Sequence, residues 1–70
     1  MTDAELIDYV GRALNVARER KNQIIINLLE ETKNWIDGST VRPDLTPLQQ
    51  LGTNGYPKAL QLYTWLMERK

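Results

Sequence analysis

Seventy residues are too few for a second domain, and nine basic side chains balance nine acidic ones, so no overall field draws the chain to nucleic acid or an anionic membrane. Histidine and cysteine are both absent, which excludes disulfides and the usual zinc and transition-metal ligand sets and removes the common activators of a hydrolytic nucleophile. A chain this short hides only roughly 60% of its unfolded-state surface, so a second subunit is the expected supplement to its core.

Thr2 followed by Glu5 matches a capping box and predicts a helix starting near Asp3. At about 100° per residue, Leu6, Ile7, Val10, Ala13, Leu14 and Ala17 share one face, and Ile24, Ile25, Leu28, Leu29, Trp35 and Ile36 return to it in phase. Arg18 to Gln23 holds neither glycine nor proline. One long or kinked helix over residues 3–37 is therefore expected, about 50 Å long at 1.5 Å per residue. The rival is a helical hairpin turning at Arg18 to Asn22, with Asn22 as the second N-cap; the rarity of helices so long favours it. The same stripe reads as heptads, but Lys21 and Glu31 interrupt them, so a bundle is expected rather than a strict coiled coil.

Gly38, after Asp37, suits a left-handed helix end, and Ser39 reads as a turn residue. Residues 38–56 form the connection. Within it, Thr46, Pro47 and Gln49 predict a short helix over 47–51 with Thr46 as its cap and Gly52 as its stop. Asn54-Gly55 is a turn dipeptide, and Pro57 opens a last helix over 57–69. Ala59, Leu60, Tyr63, Leu66 and Met67 make the main face of that helix, with Leu62 and Trp65 outside it. The fold expected is a small all-α bundle whose last helix folds back on the first.

No catalytic, cofactor or metal site is expected. Glu30 and Glu31 point about 100° apart on a helix and do not converge as an acid and base would. Asp8 with Arg12 and Glu30 with Lys33 have the spacing of surface ion pairs. The four glycines fit no phosphate-binding pattern, and Gly11 reads either as a close helix crossing or as a tolerated glycine.

Three groups of residues are candidates for contact. Val10, Leu14, Ile24 and Leu28 lie on the long stripe and point to self-association as a homodimer. Ile26, Tyr9 and Val16, together with Leu62 and Trp65, lie off the main faces and form a candidate surface for another protein; aromatic side chains of this kind are enriched in interface hot spots. The bland alternative is that the last helix or a second subunit covers them. Arg12, Arg18, Arg20 and Lys21 are the candidate phosphate contacts of a nucleic-acid-associated regulator, although no helix-turn-helix spacing accompanies them. The leading expectation is a small non-enzymatic regulatory or adaptor protein that binds another protein through apolar helix surface.

The longest apolar run, Ile24 to Leu29 with Asn27 inside it, is far short of the ~20 residues of a membrane span, so no membrane partner is expected. Asp3, Glu5 and Asp8 are unlike the start of a secretory signal, and a chain starting at Met1 is expected to be complete. The absence of cysteine fits a cytoplasmic location.

Overall fold

The computed structural model describes residues 2–69 and contains four helices: α1 (Asp3–Glu19), α2 (Gln23–Ile36), α3 (Thr46–Thr53) and α4 (Pro57–Glu68). Among the described residues there is no strand, and the expected all-α bundle is what the chain forms. α1 starts as its sequence requires. The Glu5 amide donates to Thr2 Oγ1 at 3.2 Å, and the Thr2 amide donates to Glu5 Oε1 at 3.2 Å. The Thr2 amide, and after it the Thr2 hydroxyl donating to the same oxygen at 3.0 Å, hold the Glu5 carboxyl below the usual glutamate value.

The continuous helix expected over residues 3–37 does not form. α1 stops at Glu19, and Lys21 adopts φ +56°. The Lys21 amide donates to Arg18 O at 3.1 Å and the Asn22 amide to Ala17 O at 3.1 Å, the Schellman closure of a helix end. Asn22 Oδ1 then accepts the Ile25 amide at 3.3 Å and caps α2. The hairpin with Asn22 as second N-cap is therefore the arrangement adopted. A rod of about 50 Å has no place in a body whose longest extent is 28 Å. Folding back removes the apolar stripe from water within one chain: Leu6, Val10, Leu14 and Ala17 of α1 and Ile25, Leu28, Leu29 and Ile36 of α2 are all buried in one core cluster. Thr32 is buried among them, its hydroxyl donating to Leu28 O at 2.7 Å.

α2 closes as expected, with Gly38 at φ +85°. The Gly38 amide reaches Trp35 O and the Ser39 amide reaches Asn34 O, each at 2.9 Å. α3 departs from expectation at both ends. Thr46 is its first helical residue and Leu45 occupies the cap position without a side-chain acceptor. Asp44 supplies the acceptor instead, its Oδ1 taking the Thr46 hydroxyl at 2.6 Å and the Thr46 amide at 3.0 Å. Those two bonds, the hydroxyl first, lower the Asp44 pKa. Gly52 does not stop α3, which runs on to Thr53. A Cβ at Gly52 would stand 2.6 Å from Leu60 Cβ, so this glycine lets α3 and α4 approach. Gly11 marks no such crossing, because a Cβ there would meet nothing within 4 Å.

α4 begins at Pro57 as expected and ends at Glu68. Its buried line is Leu62 and Leu66, with Ala59, Tyr63 and Trp65 at the edges. The expected inner face is therefore rotated: Leu62 is core, whereas Leu60 and Met67 are 43% and 44% exposed. The rotation lets Trp65 meet Tyr9 of α1 edge to face, their ring centroids 4.9 Å apart. α4 runs antiparallel to α1, with Arg69 on Asp3 at one end, Trp65 on Tyr9 in the middle and Tyr56 against Arg20 at the other.

Candidate functional site

The stripe expected to meet a second copy is mostly used inside one chain. Val10, Leu14 and Leu28 are buried in the core cluster, and Ile24 alone of the four remains open, at 69% exposure. Ile24 sits in the first turn of α2, where the chain leaves the hairpin and no helix covers it.

The surface expected to meet another protein is also divided. Leu62 is 1% exposed and belongs to the core. Tyr9, Trp65 and Ile26 are half-buried and pack against that core. Val16 alone is substantially exposed. Tyr9 and Trp65 therefore join α1 to α4, the covered role that was the bland alternative.

Three of the four candidate phosphate contacts already have partners. Arg12 Nε lies 3.2 Å from Asp8 Oδ2, as its spacing predicted, and Arg18 Nη2 lies 3.8 Å from Glu30 Oε1. Glu30 is thus turned to α1 as well as lying one turn from Lys33. Arg20 donates to Tyr56 Oη at 2.9 Å and stacks on the same ring, 5.0 Å from its centroid. Lys21 is exposed at the apex of the hairpin.

Sequence reasoning missed Arg69 and the exposure of Leu60 and Met67 on α4. The Arg69 guanidinium grips Asp3 through Nε at 3.1 Å and Nη2 at 3.2 Å. It also donates to Ile36 O at 3.2 Å and lies 4.7 Å from the centre of the Trp35 ring. One side chain so ties the start of α1, the end of α2 and the end of α4. On the face of α4 that borders α3, Leu60, Tyr63 and Met67 stand at i, i+3 and i+7. Beside Tyr63 and Met67 is a hollow of about 200 Å³, completed by Arg42, Pro43, Asp44, Leu45 and Thr46. Arg42 Nη1 stands 3.9 Å from Met67 Sδ at its rim. A second hollow, about 390 Å³ and open to solvent, is lined by the polar side chains Gln49, Gln50, Thr53 and Asn54.

Among the described residues no group of three or more acidic side chains is placed to hold a metal ion, and no helix is long and apolar enough to cross a membrane. No protein-family model matches the chain, and neither a curated protein nor a solved structure is significantly similar to it.

Proposed function

We propose that this chain is a small non-enzymatic protein-binding module, regulatory or adaptor in role, that takes its partner on the exposed part of the α4 face that borders α3. The observation that carries the reading is the row of Leu60, Tyr63 and Met67, two of them more than 40% exposed, beside the hollow rimmed by Arg42. Single exposed apolar side chains are ordinary on any protein, whereas a row along one helix face beside a hollow is a contiguous patch of the kind that binds. Spacing at i, i+3 and i+7 is how a helix presents anchors to an apolar partner surface. The candidate phosphate contacts support a nucleic-acid reading less well, since Arg12 and Arg18 face carboxylates within the chain.

The test is affinity capture from the cell that makes the chain, followed by titration of the captured protein against the parent and against the double variant Leu60→Asp, Met67→Asp. Both positions are exposed enough for the variant to keep its helical circular dichroism. Binding by the variant should weaken at least about tenfold, the scale of losing two hot-spot contacts of ~1 kcal/mol each. Undiminished binding by the folded variant overturns the α4 reading. Salt-sensitive binding of duplex DNA by the parent, with no protein captured, would assign the chain to nucleic acid instead.

A further inference from the structure

We infer that the end of the bundle formed by the α1–α2 hairpin and the start of α4 is a docking surface for an anionic lipid interface. The inference goes beyond the α4 reading and rests on different residues.

Two kinds of side chain meet at this end. Ile24, at 69% exposure, Val16, at 48%, and Tyr56, at 41%, are among the largest apolar exposures in the molecule. The same turns carry three exposed basic residues, Arg20 and Lys21 between α1 and α2 and Lys58 in the first turn of α4. Contact between Arg20 and Tyr56 brings the α1–α2 turn against the turn that precedes α4. The antiparallel register of α1 and α4, fixed by Asp3 with Arg69, Tyr9 with Trp65 and Arg20 with Tyr56, sets Lys58 at the level of Val16. Ile24 follows Lys21 by three residues across the same turn.

Charge in this neutral chain is segregated along the bundle. Glu19 is the one acidic residue within the turn region, and Glu30, further along α2, is matched to Arg18. At the opposite end, where α1 starts and α2 and α4 finish, Asp3, Glu5, Asp37, Asp44 and Glu68 outnumber Lys33, Arg42 and Arg69. An anionic surface would orient the molecule with the hairpin apex toward it and the acidic end away.

The mixture of residues selects the occupant. Phosphates alone would satisfy Arg20, Lys21 and Lys58 but offer nothing to Ile24 and Val16. A rigid protein partner would need hollows shaped to receive the aliphatic side chains of an apex. A lipid interface deforms around such side chains, places tyrosine at headgroup level and attracts lysine and arginine. The sequence argument against a membrane concerned a span and the overall charge balance; a peripheral contact requires no span, and its attraction is local to the basic residues of the apex.

The experiment is co-sedimentation of the full chain with vesicles of phosphatidylcholine alone and of phosphatidylcholine with about 30% phosphatidylserine, at low and high salt. Binding is expected to the anionic vesicles and to weaken at least about tenfold at high salt, where charges are screened within a few ångströms. Lys21→Gln should lower the partition coefficient about fivefold, the equivalent of ~1 kcal/mol for one basic residue. Ile24→Asp should lower it about tenfold or more while the melting temperature stays that of the parent, because Ile24 packs on no core. The vesicle results that overturn the inference are no binding to anionic vesicles at low salt, equal binding to both vesicle types, or binding unchanged in folded Ile24→Asp. Duplex DNA that binds at the same salt and is indifferent to Ile24→Asp would reassign the apex to phosphate backbones, and would also overturn it. The Leu60→Asp, Met67→Asp variant serves as control, since loss of vesicle binding there would place the contact on α4.

Discussion

Gly52 is the residue at which one missing atom sets the distance between two helices. Its virtual Cβ would lie 2.6 Å from Leu60 Cβ and 2.8 Å from the backbone N and Cα of Leu60, so the obstacle is main chain and cannot swing aside. Gly52→Ala would ordinarily stabilise a helix by roughly 1 kcal/mol. Here the forced separation of α3 from α4 should outweigh that gain, at about 1–3 kcal/mol for overpacking of this kind. Thermal unfolding of Gly52→Ala should show net destabilisation, and a more stable variant would mean that α3 and α4 do not approach as closely as described. Sequence reading assigned Gly52 the role of helix stop because glycine after a short helical pattern has that meaning far more often than the meaning of a contact. Only the position of α4 distinguishes the two.

Between the elements, the decisive turn was hard to read because it lacks glycine. The left-handed position that closes α1 belongs to Lys21, at φ +56°, while the equivalent position after α2 belongs to Gly38, at φ +85°. A lysine in that conformation carries a strain of roughly 1 kcal/mol. Lys21→Gly should therefore stabilise the fold, by up to about 0.5 kcal/mol after the greater freedom of glycine in the unfolded chain is deducted. Chemical denaturation compares the two directly, and a destabilised Lys21→Gly would argue for helix across residues 20–22. Asn22 was the one visible signal of the turn. Phase was misleading for a physical reason: both arms of a hairpin present their stripes to the same core, so their apolar positions agree whether or not the helix is continuous. Elements with strong local chemistry were legible, as the Thr2–Glu5 box, the Gly38 closure and the Pro57 start show. The orientation of α4 was not. An apolar arc wider than half the helix leaves its rotation to the neighbours, and Tyr9 of α1 drew Trp65 inward while leaving Leu60 and Met67 outside.

At the scale of the whole molecule, the hairpin changes what the chain needs from a second copy. The expected dimer rested on a stripe too long for α4 to cover. Once α1 and α2 fold on each other, Val10, Leu14 and Leu28 are at most 6% exposed within one chain, and only Ile24 of that group faces solvent. Arg69 closes the far end by holding Asp3, Trp35 and the Ile36 carbonyl together, so α4 is fixed at both ends of its packing against α1. A fold completed in this way should unfold as a monomer. For a chain stabilised by dimerisation, a hundredfold rise in concentration adds about 2.7 kcal/mol. At roughly 4–8 °C per kcal/mol for a domain of this size, the melting temperature would climb by about 10 °C or more. We expect it to stay constant over that range, with sedimentation giving the mass of one chain. Leu28→Asp should unfold the protein under either architecture, because the residue is core in one and interface in the other. Ile24→Asp separates them: the monomer keeps its melting temperature, whereas a dimer built on the stripe loses it.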